Sequence, residues 1–190
     1  PHSKWRGSLV DPDLLKSEAG RRQLSSIAER YYKITHDAIR RYDPNHLILG
    51  DRWEANAALP EEVVGAALPY VDVLSFQCFG AVENIATKMG GWADFADRPV
   101  LLADAAGHIC AHDDTSWPPS ADRLQDTDHY AQVMDALWDI PQCVGYHLCG
   151  AYLKNNARKY GFRDQANNQI DETVAGIRAV NTEMQRRQNP

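Results

Sequence analysis

Side chains able to do chemistry follow several short apolar runs of this sequence. The clearest case is RPVLLADAAGH, residues 98–108, in which an apolar run ends on Asp104, and small residues and His108 come next. A carboxylate in that place can serve in acid–base or nucleophilic catalysis, or it can cap a helix or pair with a cation. The other apolar runs are followed in the same way by Arg52, Trp53, Glu54, Gln77 and His147.

Each of these side chains has a chemical and a structural interpretation. Arg52 could hold a carboxylate or a hydroxyl of a ligand, or it could form a structural ion pair. Trp53 could be a stacking platform for a ring of a ligand, or it could pack between helices. Glu54 is either a second acid or a solvated loop residue. Tyr146 and His147 alternate on one strand, so one of them faces the sheet interior and the other faces the helices.

Metal binding is a weaker alternative. His108 and His112 with Asp104 could ligate a metal, but their spacing suits a helix, and the segment GHICAHDDTSWPP has the composition of a loop. We therefore predict no metal and no cofactor. The four cysteines form no C-x-x-C pair, and Cys78, Cys143 and Cys149 lie in or beside apolar runs. Reduced, buried thiols are the favoured interpretation, with a disulfide or a metal site left open.

The apolar periodicity alternates between helix-like and strand-like segments. Helices are predicted over 23–42, 60–68, 81–95, 121–138 and 171–187. Strands are predicted at 47–49, 70–80, 99–105 and 143–152. Short apolar strands that alternate with helices are typical of a parallel sheet buried on both faces. The whole chain, residues 1–190, is predicted to be one domain of four βα units.

Two architectures fit four βα units, a small doubly wound sheet and part of a (β/α)₈ barrel. An open nucleotide-binding sheet should carry a glycine-rich phosphate loop after its first strand, and no turn reads G-x-G-x-x-G or G-x-x-x-x-G-K-[ST]. Instead, every strand ends in polar or aromatic side chains. Several strand ends that contribute to one mouth indicate a barrel.

Composition excludes some classes of function. The formal net charge of −6 and the lack of a basic run argue against nucleic-acid binding. No apolar window reaches the roughly 18 residues that a membrane span requires. The first residues, PHSKWRGSLV, lack a Met and the pattern of a signal peptide, so we expect a processed chain or a fragment of a longer one.

Three segments resemble the agarase-like group of clan A glycoside hydrolases. YYKITHDAIRRYDPNHLILGDRW is similar to the approach to strand five of their barrel, and RPVLLADAAG to strand seven, which ends on the nucleophilic carboxylate. VGYHLCGAYLKNNARKYGFRDQANN is similar to strand eight and its loop. The resemblance covers nearly the whole chain and implies an α/β fold, the second half of a (β/α)₈ barrel, with strands five to eight.

The resemblance also implies roles for single residues. Asp104 takes the place of the nucleophile, where the family pattern has Glu, and a shorter acid leaves room for a water molecule. Arg52, Trp53, Glu54, Gln77, His108 and His147 become candidate contacts of a carbohydrate substrate. The acid/base Glu, at the end of strand four, is expected outside this sequence. The missing N-terminal half barrel or a second copy of the chain is then the expected partner, because a half barrel leaves two open sheet edges.

We therefore predict a glycoside hydrolase that acts on a polysaccharide or oligosaccharide and is secreted or periplasmic. One alternative is a non-catalytic carbohydrate-binding barrel fragment. The other is the metal-dependent hydrolase that uses His108, His112 and Asp104.

Overall fold

The computed structural model describes residues 14–105, 127–148 and 162–189. Their backbone contacts divide into two compact units. The first comprises residues 14–50 and 59–72, and the second comprises residues 51–58 and the described part of the chain from residue 73 onward. Each unit is described by itself.

The first unit is helical. Helix α1 (Glu18–Tyr42) begins at Ser17, whose hydroxyl accepts a hydrogen bond of 3.0 Å from the Gly20 N–H. Helix α2 (Glu61–Ala67) starts after Pro60, as predicted, with two glutamates in its first turn, where the helix dipole favours negative charge. A short 3₁₀ turn, Leu68–Tyr70, follows α2. Ala28 and Tyr32 of α1 and Val64 and Ala67 of α2 are buried.

The second unit is built on a parallel sheet in the order β1-β2-β3-β4. Its strands are β1 (Arg52–Glu54), β2 (Leu74–Gln77), β3 (Val100–Ala105) and β4 (Cys143–Leu148). Its helices are α3 (Val82–Ala96), α4 (Thr127–Trp138) and α5 (Asp171–Gln188). The predicted α/β class and the parallel sheet of four βα units are confirmed. Residues 106–126 and 149–161 lie outside the described residues, and with them the predicted start of α4 and the end of β4.

The first strand is displaced from its predicted place. The apolar run Leu47–Leu49 was expected to pair in the sheet, but the strand is the polar segment Arg52–Glu54. Ile48 is instead bound by Asp72, whose N–H donates to the Ile48 carbonyl at 2.8 Å and whose Oδ2 accepts the Ile48 N–H at 2.7 Å. Gly50 follows with a φ of +66°, and a Cβ there would stand 2.8 Å from Val71 Cγ1.

Aromatic and aliphatic side chains cover one face of the sheet. Phe76 of β2 lies between Trp53 of β1, at 5.5 Å between ring centroids, and Trp92 of α3, at 5.7 Å. Tyr146 of β4 packs edge-on against Tyr130 of α4 at 5.2 Å. Leu74, Phe76, Val100 and Leu102 are fully buried. This face therefore forms the core under helices α3 and α4, and the opposite face presents the remaining strand side chains.

Candidate functional site

The predicted site residues on β1 and β2 separate according to the face of the sheet on which they lie. The register pairs Arg52 with Ser75, Trp53 with Phe76, and Glu54 with Gln77. Since neighbouring residues of a strand point to opposite faces, Arg52, Glu54 and Gln77 share the face opposite α3, which we call the open face. Trp53 lies on the helix-covered face and is 7% exposed. Its described surroundings are those of a core residue, not those of a sugar platform.

An irregularity in β3 brings Asp104 to the open face. Phe76 pairs with Leu102, but the next residue of β2, Gln77, pairs with Asp104. The pairing of β3 with β4 likewise moves from Leu102 to Ala105 while β4 advances only from Tyr146 to Leu148. Strand β3 therefore contains one extra residue relative to both neighbours, which is a β-bulge. Strict alternation would have placed Asp104 on the same side as Leu102, in the core.

Arg52 and Asp104 form an ion pair across the open face. Arg52 Nη1 lies 2.7 Å from Asp104 Oδ2, and the side chains are 54% and 8% exposed, respectively. Since β1 and β3 flank β2 at about 4.8 Å on each side, the arginine side chain crosses β2 to reach the carboxylate. A buried carboxylate requires such a partner. The second oxygen, Oδ1, is buried and has no hydrogen-bond partner among the described residues.

Glu54 and Gln77 form a second polar group on this face. Gln77 Nε2 donates to Glu54 Oε2, and the Asn56 N–H donates to Oε1 at 2.9 Å. The Asn56 side chain in turn bonds both the carbonyl and the N–H of Phe79, at 3.0 and 2.9 Å. The segment after β1 is therefore tied to the segment after β2, and both oxygens of the Glu54 carboxylate accept hydrogen bonds.

His147 projects from the open face as well. Its neighbour Tyr146 contacts Tyr130 of α4, so alternation directs His147 away from the helices. The pairing of Leu101 with Gly145 agrees with this assignment, since a Cβ on Gly145 would lie 3.1 Å from Leu101 Cδ1. His147 is exposed. The structure therefore brings Arg52, Glu54, Gln77, Asp104 and His147 to the carboxyl end of one sheet face.

Cys78, which follows β2, is buried, and Cys143, the first residue of β4, is partly buried. Burial, together with the negative charge of Glu54, raises the pKa of Cys78 to about 11, and burial also raises the pKa of Cys143. Neither cysteine forms a disulfide with another described residue, and both thiols are protonated at neutral pH. Cys110 and Cys149 lie outside the described residues, so the prediction for them is not tested.

The metal alternative rests on residues that the structure does not describe. His108 and His112 both fall in the segment 106–126, and the predicted sugar contact of His108 falls with them. Within 14–105, 127–148 and 162–189, no group of three or more His, Cys, Asp or Glu side chains is arranged to hold a metal ion.

No helix among these residues is long and apolar enough to cross a bilayer.

Ser75 is a further polar residue of the open face that the sequence analysis did not select. It lies two residues before Gln77 on β2 and shares the open face with it. Ser75 is 4% exposed, and its hydroxyl has no hydrogen-bond partner among the described residues. The available signal was a serine inside an apolar strand, VDVLSFQ, at the same parity as Gln77.

Proteins of similar sequence and structure include agarases. No family model matches the sequence. The chain is 30% identical over 130 residues to β-agarase B of Vibrio sp. (strain JT0107), across 65% of this chain and 13% of that protein. Among solved structures it is similar to an exo-β-agarase, with 29% identity, a TM-score of 0.68, and coverage of 87% of this chain and 23% of the other. It is also similar to PfGH50B, with 25% identity, a TM-score of 0.72, and coverage of 89% and 25%.

The chain spans about a quarter or less of the length of these relatives. Its parallel four-stranded sheet is shared with glycoside hydrolases of TIM-barrel-like fold. The resemblance predicted from the sequence is confirmed: the chain is a homologue of β-agarase B over 65% of its length, and its fold is similar to those of solved agarase structures.

Proposed function

We propose that this chain forms the sugar-facing part of a glycoside hydrolase cleft, with Asp104 as the carboxylate that stabilises or attacks the anomeric centre. The observation that carries the proposal is the buried Asp104, aimed by a bulge at the open face with Oδ1 unpartnered among the described residues. A glycosidase needs a fixed, ionised carboxylate beside an oxocarbenium-like transition state. The Arg52 ion pair fixes the Asp104 carboxylate in position.

The remaining open-face residues take supporting roles in this proposal. Glu54, Gln77 and His147 contact sugar hydroxyls, and Arg52 acts on Asp104. Trp53 has no contact with the sugar, because it is buried under α3. The acid/base Glu is supplied from outside this sequence, as the resemblance implies. Similarity to β-agarase B and to an exo-β-agarase supports an agar-type galactan as the substrate.

Hydrolysis of agar oligosaccharides by a complete enzyme that contains this chain, followed by chromatography of the products, tests the catalytic role. Asp104→Asn should reduce turnover on the order of 10²–10³-fold, with Asp72→Asn as the matched control on a carboxylate of the first unit. Loss of turnover with retained binding supports the proposal. Unchanged turnover of the Asp104→Asn enzyme would remove catalysis from Asp104 and leave a carbohydrate-binding role.

We also propose that a further polypeptide completes the sheet into a barrel. In the described sheet, β1 and β4 are the outer strands, and Val144 of β4 is 59% exposed. In the first unit, Ile27, Tyr31 and Ile34 of α1 are 60%, 51% and 57% exposed and recur at i, i+4 and i+7. Apolar surfaces of this kind favour burial against another chain segment.

Light scattering and limited proteolysis test this partner. We expect the 190-residue chain alone to self-associate or to be cleaved rapidly, and to become resistant when co-expressed with a segment that supplies four further βα units. Stable dimers that are resistant to protease would assign the role to a second copy. A monodisperse, resistant monomer would contradict the proposal.

A further inference from the structure

A cavity of about 530 Å³ lies between α5 and the segment that precedes it, and we call it the α5 cavity. Phe162, Arg163 and Gln169 line it on the side of the preceding segment, and α5 lines it along one flank, from Val174 to Gln185. No described residue of the open face belongs to the lining, and the volume is typical of small-molecule sites. The α5 cavity is therefore a candidate site of its own.

The turn that forms one wall of the α5 cavity is held in shape by its own hydrogen bonds. The Ile170 N–H donates to the Phe162 carbonyl at 2.8 Å. Asp164 accepts two further hydrogen bonds, from the Asn168 N–H at 2.8 Å and from the Asn168 side-chain amide at 3.1 Å. A wall that is already ordered adds little entropic cost when a ligand binds.

The charged side chains that line the α5 cavity are positive. Arg163 and Arg178 belong to the lining, and no described aspartate or glutamate does. Arg163 Nη1 donates to the Asn167 carbonyl at 2.8 Å, which holds this guanidinium against the turn. Arg178 is exposed, and no hydrogen bond or ion pair joins its guanidinium to a described residue. Because guanidinium groups match oxyanions in charge and geometry, the lining favours an anionic group.

Amide and apolar side chains complete the lining. Asn181 Oδ1 accepts from the Tyr130 hydroxyl at 2.5 Å, so the amide nitrogen of Asn181 keeps its donors for a ligand. Phe162, Val174 and Ile177 supply apolar surface. An inorganic anion would fill only a small part of the cavity and leave this surface uncovered. A sugar unit offers hydroxyls and an apolar C–H face together, and therefore matches both parts of the lining.

We propose that the α5 cavity is a second saccharide site, apart from the cleft, which binds a sugar unit that carries a sulfate ester or a carboxylate. Arg163 and Arg178 bind the oxyanion, and the Asn181 amide donates to the sugar. Phe162 and Val174 pack against the ring. The choice of a saccharide rests on the proposed function, since it follows from the similarity to agarases. The choice of an anionic group rests on the lining of the cavity.

Calorimetric titration of a complete enzyme that contains this chain tests the site with two probes, an agar disaccharide and its sulfate ester. The wild-type protein should bind the ester about 10-fold more tightly at low salt, and added NaCl should reduce this preference. Equal affinity for both probes would overturn the proposal. Inorganic sulfate is the third probe, and it should bind more weakly than the ester. If it binds as tightly as the ester, the saccharide part of the proposal is wrong.

Arg178→Gln removes one positive charge from the cavity. Affinity for the sulfate ester should fall about 5–10-fold, and Tm should be unchanged because the side chain is exposed and has no described partner. The matched control is Arg186→Gln, which removes the same charge from the same helix outside the cavity and should leave the affinity unchanged. Equal losses in the two variants would indicate general attraction of anions and contradict the site.

Thr182→Trp fills the cavity without a change of charge. Thr182 is exposed and lines the cavity, so the larger side chain should weaken binding of the sulfate ester about 5-fold or more while the fold is retained. Unchanged affinity would place the ester elsewhere and contradict the proposal. Both α5 variants should hydrolyse neutral agar oligosaccharides at the wild-type rate. Failure of the proposed function would appear instead in Asp104→Asn, as unchanged turnover.

Discussion

Two of the aspartate–arginine pairs among the described residues, Arg40–Asp72 and Arg52–Asp104, differ in their surroundings. Asp72 Oδ2 accepts from Arg40 Nη2 at 2.5 Å and from the Ile48 N–H at 2.7 Å. Asp72 therefore joins α1 to the segment around Ile48 within the first unit. Asp104 Oδ2 accepts from Arg52 at 2.7 Å, but its Oδ1 has no partner among the described residues.

Burial makes the difference between the pairs informative. The side chain of Asp72 is 37% exposed, whereas that of Asp104 is 8% exposed. Solvent can satisfy the remaining capacity of Asp72, so its pair is explained by the fold alone. A buried carboxylate with one free oxygen costs stability, and such costs are typical of functional sites.

The largest expected effect distinguishes the two carboxylates by activity. Asp104→Asn should lower turnover of an agar oligosaccharide on the order of 10²–10³-fold, because the neutral amide cannot stabilise a developing positive charge. Asp72→Asn should leave turnover within about 2-fold. Comparable losses in both variants, measured by reducing-sugar release at matched folded concentration, would erase the distinction.

The second prediction concerns the two arginines and protein stability. Arg52→Ala leaves the Asp104 charge buried and unpaired, so we expect a loss of about 2–3 kcal/mol, below the range for fully buried pairs because Arg52 is half exposed. Arg40→Ala should cost about 1 kcal/mol or less, since Asp72 keeps water and the Ile48 N–H. Urea unfolding measures both losses, and the double variant Arg52→Ala/Asp104→Asn should recover most of the first.

The third prediction is the acid dependence of the first unit. The Ile48 N–H and Arg40 hold the pKa of Asp72 below its ordinary value. A depressed folded pKa adds stability above the unfolded pKa, and this stability is lost as pH falls through the folded pKa, hence below about pH 4. In Asp72→Asn, the fall in the free energy of unfolding between neutral pH and acid pH should be smaller by about 1 kcal/mol or less. An unchanged fall would remove Asp72 from the acid response.

The smallest expected effect is on saccharide affinity when His147, an exposed residue of the open face, is replaced. His147 is exposed, so His147→Ala should weaken saccharide binding only about 2–5-fold and leave Tm unchanged. Trp53 lies on the helix-covered face, so Trp53→Phe should do the opposite: it should lower Tm and leave the affinity for the saccharide unchanged. A large affinity loss for Trp53→Phe would restore the predicted stacking platform.

Most of the fold could be predicted from periodicity, since α2, β2 and β3 lie inside their predicted ranges and helices α3 and α5 extend one residue beyond theirs. Strand β1 could not, because the apolar run 47–49 has the composition of a strand while its partner is Asp72, a side chain distant in sequence. Apolar composition alone does not reveal which backbone groups a distant side chain will satisfy.

The site was predictable in its residue types and less so in its geometry. Carboxyl ends of parallel strands meet at one edge, so Arg52, Gln77, Asp104 and His147 were expected together. The bulge in β3 was not predictable from VLLADA, since it depends on register with both neighbouring strands. For Trp53 the sequence left open a stacking platform or core packing, and parity, rather than proximity to Arg52, determines which face of the sheet it joins.

A crystal structure of the protein with a neutral agar tetrasaccharide would show directly whether Asp104 faces the sugar. We expect a sugar hydroxyl within about 3 Å of Asp104 Oδ1, on the face that carries Arg52, Glu54 and Gln77. A saccharide bound elsewhere, with Asp104 Oδ1 occupied by a protein group, would contradict the assignment of Asp104 as the sugar-facing carboxylate.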